Sequence, residues 1–288
     1  MSDAPLPAQR RKPWFWALVA GLAVIVLAGG SFLVYRTVTN ASPQAGTGIS
    51  GESAMIAGVS KPSPTPTAPS AAPTATPTPA EPDIVPDYVL PPIENGMVPV
   101  ITRIPTQQKV VFLTIDDGGT KTPEIIQVMN QNKVKASLFL AHMFIQNDPE
   151  YFKQLTATGS KVEDHTMTHP LNLIQLSYAQ QKAEICGMAD FEAKTYGRRP
   201  VLFRPPGGPY TPSVRKAVAD CGMKAIVDWE TKANAGRMEY QTGKSLRPGD
   251  IVLMHFRPEF AQDFAAFQAA QKAAGLQVVL LEDYLKLA

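Results

Sequence analysis

The sequence predicts an α/β domain whose core is a distorted (β/α) barrel of about seven or eight units. From residue 93 onward, short β-branched apolar runs alternate with helix-like segments, and this alternation is typical of a parallel sheet. The run from Val110 to Ile115 is almost continuously apolar, which indicates a strand buried on both faces. About seven such units favour a barrel over an open sheet.

The individual elements follow from apolar runs for strands and from apolar residues at helical spacing for helices. After residue 212, for example, Val214, Ala217, Val218 and Cys221 recur at i, i+3, i+4 and i+7. In chain order we expect strands at residues 110–115, 137–140, 161–163, 201–203, 223–227, 250–254 and 277–281, and helices at residues 123–131, 149–158, 177–195, 213–221 and 260–274.

Residues 14–35 form an uncharged apolar stretch near the N-terminus. Its length suffices to cross a hydrocarbon core of about 30 Å, so we expect a transmembrane helix that acts as a signal anchor. A cleaved signal peptide is the alternative, with possible cleavage sites among the small residues at 28–31. Both interpretations export the rest of the chain.

The charges that flank this stretch set its orientation. Arg10, Arg11 and Lys12 precede it, whereas only Arg36 follows closely. The excess of positive charge on the N-terminal side places residues 1–13 in the cytoplasm. We therefore expect a single-pass protein of the cell membrane with its folded domain outside the cytoplasm.

Residues 36–92 have the composition of a linker. Pro, Thr, Ala and Ser dominate, and between residues 61 and 82 proline recurs every two to four positions. Such a segment has too few apolar residues to form a core, so we expect it to be disordered. An extended proline-rich chain would hold the domain at residues 93–288 up to roughly 150 Å from the membrane. A spacer with no tuned length is an equal alternative.

Charge and cysteine content restrict the partners. The net charge is +2 and 18% of residues are charged, which excludes the strongly basic surface of a nucleic-acid binder. The ordinary surface composition gives no reason to expect more than a monomer. Cys186 and Cys221 are far from a metal-finger spacing. They form one disulfide in an oxidising compartment or remain two buried thiols, and the sequence leaves both open.

Chemically active side chains follow several predicted strands. In a βα barrel, the C-terminal ends of the strands carry the active site. Asp116 and Asp117 end the first strand, and His165 and His169 follow a later one. Two imidazoles and one carboxylate suit Zn²⁺ and leave a position open for water, which is the catalytic arrangement. His142 has no partner at metal-ligand spacing and stays unassigned.

Four segments resemble, in order and spacing, the motifs of the carbohydrate esterase family 4 polysaccharide deacetylases, also called the NodB-homology domain. The resemblance extends from about Lys109 to the C-terminus. The matching segments are Thr114-Ile115-Asp116-Asp117-Gly118, His165-Thr166-Met167-Thr168-His169-Pro170, Phe203-Arg204-Pro205-Pro206-Gly207 and Asp250-Ile251-Val252-Leu253-Met254-His255.

The resemblance implies an enzyme that removes acetyl groups from an N-acetylated cell-surface polysaccharide, such as peptidoglycan or a chitin-like polymer. Asp117, His165 and His169 would hold one divalent metal ion, for which the donors suggest Zn²⁺. Zinc lowers the pKa of bound water to about 7, and Asp116 would act as the general base that takes the proton.

The resemblance also implies supporting roles for other residues. Arg204 would pair with Asp116 and hold it ionised. His255 would donate a proton to the departing amine or alkoxide. The backbone N–H of Gly207 would help to stabilise the tetrahedral oxyanion. Leu253 would line the pocket for the acetyl methyl group.

Some positions depart from the family pattern. Gly207 stands where the family usually has an aromatic residue, and Tyr210 lies three positions later, so the backbone donor remains but the substrate wall changes. Gly119 stands where the family often has proline. The family's Asp-Trp element is matched only by Asp228-Trp229, and Trp229 either shapes the pocket or is a core aromatic residue.

Two further functions remain open at this stage. The same site would hydrolyse an ester more easily than an amide, which allows an O-acetyl esterase acting on cell-wall glycan. The substitution at Gly207 and the weak Asp-Trp match also allow a wall-binding module without catalysis.

Overall fold

Ten strands form within residues 84–287, the part of the chain that the computed structural model describes. The longest is eight residues and lies in the middle of the sheet, and all of its residues are buried except the last. The strands are β1 (Val100–Ile101), β2 (Val110–Asp117), β3 (Ser137–Leu140), β4 (Lys161–Asp164), β5 (Leu202–Phe203), β6 (Ala225–Val227), β7 (Thr231–Asn234), β8 (Arg237–Tyr240), β9 (Ile251–His255) and β10 (Gln277–Val278).

Helices follow most of the strands. The longest, α4, begins after Ser177, whose side chain and that of Gln180 form a reciprocal capping box, and it ends before Gly197 in the left-handed conformation. The α-helices are α1 (Pro123–Gln131), α2 (His142–Ile145), α3 (Lys153–Thr156), α4 (Tyr178–Tyr196), α5 (Pro212–Asp220), α6 (Phe260–Ala274) and α7 (Leu281–Tyr284), with 3-10 turns at Pro149–Phe152 and Leu173–Gln175.

The strands form a curved sheet in the order β1-β6-β5-β4-β3-β2-β9-β7-β8, and β10 pairs with the start of β2. The pairs are parallel except for the β7–β8 hairpin. The structure confirms the predicted alternation of strands and helices. In the described part of the chain, however, no ladder joins β1 to β8, so the fold is an open half-barrel.

The difference from a closed barrel has a local cause. The strand β7 is followed by the antiparallel β8 rather than by a helix, so the unit that would continue the parallel sheet at this edge is replaced by a hairpin. The residues of β8 are exposed or only partly buried, unlike those of β2 or β9. Such an edge strand lacks the continuous apolar run on which the sequence prediction depended.

Most predicted elements are present with small shifts at their ends. The predicted helix at 149–158 is a 3-10 turn followed by the short α3, and the predicted strand at 277–281 ends at Val278 before α7 begins. Strands β1, β7 and β8 and helices α2 and α7 were missed. They are two to four residues long, too short for a periodic pattern to show.

The alternation of side chains along β2 divides the core into two layers. Val111, Leu113 and Ile115 pack in a cluster beneath the helices, whereas Val110 and Phe112 face a cluster inside the half-barrel. A strand of this kind places every second residue on the inner face. Thr114 and Asp116 therefore also face the inside of the half-barrel, nearer the C-terminal end of β2. Residues on this face of a strand are called its inward row below.

Residues 84–92, which the sequence assigns to the linker, already pack on the domain. Ile84, Tyr88 and Leu90 lie against the inner cluster, and the hydroxyl of Tyr284 donates a hydrogen bond to Asp87 at 2.7 Å. Residues of this segment therefore contact the domain that follows it. Apolar residues spaced between prolines supply this packing, which composition alone does not reveal.

Two predicted N-terminal features lie outside the described residues, namely the transmembrane helix at 14–35 and the linker up to residue 83. Among the helices of residues 84–287, none has the length and apolar character needed to cross a membrane.

Cys186 and Cys221 form a disulfide that joins α4 to the end of α5. This resolves the choice between a bridge and two free thiols. Both residues lie at the apolar cluster between these two helices, so the packing of the helices brings them together.

Candidate active site

Strand β2 ends in the two adjacent acids of the first motif. Asp116 points inward and is 3% exposed, whereas Asp117 has a left-handed backbone with φ of 76°. Gly118 follows with φ of 88°, and a Cβ atom there would lie 2.5 Å from Ile145 Cγ2. The turn that directs the two carboxylates to different positions therefore requires glycine at residue 118.

The loop after β4 carries both histidines. The N–H of Thr166 donates to Asp164 Oδ1 at 2.9 Å, and the N–H of His169 donates to Thr166 Oγ1 at 3.1 Å. Thr166 and His169 both have positive φ, at 77° and 51°. Side-chain hydrogen bonds of this kind hold the loop in a conformation that β-branched residues rarely adopt.

Asp117, His165 and His169 come together at the C-terminal edge of the sheet, as the sequence predicts. One ligand atom from each lies within 4.8 Å of the other two. Asp117 Oδ1 is 3.3 Å from His169 Nε2 and 3.6 Å from His165 Nε2. In a tetrahedral site with bonds of about 2.0–2.1 Å, ligand atoms are about 3.4 Å apart. The donor set therefore fits a divalent metal ion.

The tautomer of His165 supports the same interpretation. Its Nδ1 lies 2.6 Å from the carbonyl oxygen of Arg204, so Nδ1 carries the proton and Nε2 is left for a metal. Histidine ligands commonly donate their second ring N–H to a carbonyl or a carboxylate in this way. The separation of 3.6 Å between His165 and Asp117 is also too long for a good direct hydrogen bond.

The environment of Asp117 favours its ionised form. Burial raises the pKa of this carboxyl, but the side-chain contacts with His165 and His169 and the charges of His165 and His255 outweigh burial and hold its pKa well below the ordinary value. A carboxylate that stays ionised is the form that binds a metal.

Arg204 is fully buried and contacts several groups at once. Its Nη1 donates to Asp116 Oδ1 at 2.7 Å and to Thr114 Oγ1 at 2.8 Å. Its Nε and Nη2 donate to the carbonyl oxygens of Val227 and Asp228 at 3.0 and 3.2 Å. The predicted pairing of Arg204 with Asp116 is therefore present in the structure.

His255 ends β9 and lies in register with Asp116 on β2. Burial lowers the pKa of His255, whereas the negative charges of Asp116 and Asp117 oppose this shift. Leu253 is 3% exposed and lies two residues earlier, on the same inward row of β9. Both residues are thus at the edge that carries the metal ligands.

Gly207 is exposed, with φ of 71°, and in the described part of the chain its N–H has no acceptor. The adjacent Gly208 lies over Trp229, because a Cβ atom there would be 3.1 Å from the indole ring. Trp229 is half-buried, packs against the inner cluster and has the guanidinium of Arg204 5.7 Å from its ring centre. It combines features of a core aromatic residue and of a site residue.

His142 lies apart from the metal ligands and packs edge-on against Phe191, with ring centres 4.6 Å apart. Sequence reasoning missed Thr114 and Phe139, which both contact the guanidinium of Arg204. The available signal for Thr114 was its position two residues before Asp116, which places both side chains on the same face of β2. No pattern in the sequence pointed to Phe139.

Comparison with known proteins agrees with this geometry. Residues 103–226 match the family model described as polysaccharide deacetylase. An uncharacterized protein of Streptomyces coelicolor is 35% identical over 195 residues, which is 65% of this chain and 77% of that one. A peptidoglycan-N-acetylglucosamine deacetylase of Bacillus cereus is 30% identical over 54% of this chain and 76% of its own length. The chain belongs to the polysaccharide deacetylase family.

This polysaccharide deacetylase is therefore a hydrolase. A solved structure supports the fold. A variant of a family 4 pseudoenzyme, in which enzymatic activity was restored, superposes with a TM-score of 0.56 at 24% identity over 64% of this chain and 70% of that one. Because a pseudoenzyme shares the fold, the fold alone does not establish turnover. The capacity for turnover depends on the side chains at the site of this deacetylase.

Proposed function

We propose that this protein removes N-acetyl groups from a cell-wall polysaccharide, either peptidoglycan or a chitin-like polymer, with a metal ion held by Asp117, His165 and His169. The observation that carries this proposal is the position of the Asp116–Arg204 ion pair directly beside the metal triad. Hydrolysis by an activated water requires a general base that does not itself bind the metal. This base must lie next to a site with three protein ligands.

The donor set favours Zn²⁺, because two imidazoles and one carboxylate suit this borderline-soft ion. A divalent metal at this site would polarise the acetyl carbonyl and lower the pKa of the attacking water. The protein's own part is to hold the ligand atoms at separations of 3.3 and 3.6 Å.

Asp116 acts as the general base in this proposal. Its Oδ1 accepts the hydrogen bond from Arg204, whereas its Oδ2 lies 3.8 Å from His165 Nε2, on the side of the triad. One carboxylate oxygen is thus fixed by Arg204 and the other is available to take a proton from water. Arg204 is a positioning residue, because it acts through Asp116.

His255 donates the proton to the departing nitrogen from the neighbouring strand. The N–H of Gly207 stabilises the oxyanion, and Leu253 contacts the acetyl methyl group. Removing one oxyanion donor typically costs a factor of about 100 to 1,000 in kcat. Trp229 then shapes the substrate wall through its contact with Gly208.

The site of action is proposed to lie outside the cytoplasm, with residues 14–35 as a membrane anchor. The charge bias around this stretch supports the orientation. The disulfide between Cys186 and Cys221 supports an oxidising compartment, since such bonds are rare in the cytosol. We propose that the protein acts as a monomer.

Acetate release by the full chain from N-acetylglucosamine oligomers and from peptidoglycan tests the proposal. We expect release that stops with chelator and returns with Zn²⁺. Asp116→Asn should retain the metal but lose about 100- to 10,000-fold in kcat, whereas Asp117→Asn should lose the metal as well. Asp148→Asn, at an exposed position, is the matched control.

Other outcomes would redirect the proposal. Release from O-acetylated glycan only would establish an esterase. A protein that binds the metal and glycan but releases no acetate from either substrate would be a wall-binding module.

A further inference from the structure

Six large hydrophobic side chains are exposed within residues 84–287, and three of them lie in the segments that follow β3 and β4. Met143 is the second residue of α2, the helix that follows β3, and its N–H donates to the carbonyl of Met167 in the histidine loop. Leu171 and Ile174 follow His169 in the sequence. The other three, Val85, Val89 and Ile93, lie in the segment before β1.

Leu171 is the most exposed of the three beside the site, at 69%. It comes two residues after His169, and a side chain at Gly207 would begin 3.4 Å from Leu171 Cδ2. Leu171 is therefore close in sequence to the proposed metal ligand His169 and close in space to Gly207, the proposed oxyanion donor. Because Gly207 has no side chain, Leu171 provides the apolar surface above this backbone.

The backbone around Leu171 is held in place. The N–H of Leu173 donates to the carbonyl of Pro170 at 3.1 Å, and the side chain of Leu173 is buried. The His169 N–H is likewise bonded to Thr166. An exposed leucine is unremarkable by itself. A leucine whose backbone is held beside Gly207, and whose side chain is 69% exposed, is placed to contact a bound polymer.

We propose that Leu171 is a specificity-determining residue that packs against the apolar C–H face of the sugar unit next to the acetylated one. The proposal rests on the proposed function and names a contact of the same site. A pyranose ring presents C–H groups on its faces, and an aliphatic side chain buries them without needing a hydrogen-bond partner. The contact orients the polymer without touching the acetyl group.

The test compares full-chain variants on two substrates of different size. Leu171→Ala should raise KM for an N-acetylglucosamine tetramer about 5- to 10-fold with kcat within about twofold, because the contact is equally present in ground and transition states. Hydrolysis of 4-nitrophenyl acetate, which has no neighbouring sugar, should be unchanged. Leu171→Met should restore KM, and Val85→Ala, at an apolar position that is 66% exposed, is the control.

A binding measurement separates this inference from the proposed function. The dissociation constant of the tetramer is measured calorimetrically for Asp116→Asn, with and without Leu171→Ala. If the wild type releases no acetate but Leu171→Ala weakens binding about 5-fold, the deacetylase proposal fails and the contact stands. If acetate is released and neither KM nor binding changes, or if the aryl ester is affected equally, the contact at Leu171 is overturned.

Discussion

The guanidinium of Arg204 and the carboxylate of Asp116 form an ion pair at 2.7 Å, with side chains that are 0% and 4% exposed. The same arginine accepts the ring N–H of His165 through its backbone carbonyl. Arg204 thus orients both the proposed base and a proposed metal ligand. Since two charges are taken out of water, the pair contributes to the geometry of the site more certainly than to stability.

Removing the arginine should destabilise the fold as well as the site. Arg204→Met leaves the carboxylate of Asp116 buried without its partner, and we expect the free energy of unfolding to fall by about 3 to 5 kcal/mol in urea denaturation. In the double variant with Asp116→Asn, part of this loss should return, because the uncompensated charge is gone.

Arg237→Met is the control for the loss of an arginine, since the side chain of Arg237 is 74% exposed. We expect a change within about 0.5 kcal/mol. Equal losses for both arginine variants would contradict a special role for the buried pair.

Metal binding should distinguish two histidines of the chain. His169→Ala removes one of three ligand atoms, so we expect zinc affinity to fall by at least about 100-fold in competition with a chromophoric chelator. His142→Ala should retain wild-type affinity, because the ring of His142 packs against Phe191. Loss of zinc from both variants would show that unfolding, rather than ligation, is being measured.

Gly118 should tolerate a side chain poorly. In Gly118→Ala the new Cβ would lie 2.5 Å from Ile145 Cγ2, in addition to the strain of φ at 88°. Gly197→Ala has a similar φ of 74° with no atom within 4 Å. We expect Gly118→Ala to cost about 1 to 3 kcal/mol more in the free energy of unfolding, because it overpacks the core. Equal costs for the two variants would show that glycine is needed at residue 118 for its backbone conformation alone.

The buried Glu282 makes stability depend on pH. Its Oε2 accepts a hydrogen bond from Ser137 at 2.8 Å, and burial together with the charge of Glu163 raises its pKa well above the usual value. Because the folded-state pKa is raised, the stabilisation is complete below the unfolded-state pKa of about 4.3 and is lost as pH rises through the folded-state value.

Glu282→Gln should reduce this decline of stability with rising pH, by up to about 1.4 kcal/mol per pH unit within that range. The measurement is urea denaturation at a series of pH values above 4. Glu124→Gln, at an exposed position, should leave the slope unchanged. If the slope is undiminished in Glu282→Gln, the pH dependence of stability arises from the other buried carboxyls.

The disulfide should contribute measurably to stability. It closes a loop with a sequence separation of 35 residues, for which the chain-entropy model gives about 3 to 4 kcal/mol. We expect the double variant Cys186→Ala/Cys221→Ala to unfold at correspondingly lower urea concentration. Reducing agent should lower the stability of the wild type and leave the double variant unaffected.

The sequence by itself determined most of the secondary structure, and it predicted the residues that meet at the candidate site. Apolar runs such as Val110 to Ile115 located the inner strands, because burial on both faces leaves a pattern that neighbouring residues display. Asp117, His165 and His169 were found because their spacing after strands is local to each motif. Their meeting at one edge follows from parallel strands.

Only the tertiary structure decided the relationships between residues that are distant in the chain. Arg204 meets Asp116 across 88 positions, and Cys186 meets Cys221 across 35. The open edge at β8 likewise depends on a hairpin too short to leave a pattern. Leu171 over Gly207 is a contact between two loops. Such contacts are set by packing in three dimensions, for which no periodicity along one segment gives a signal.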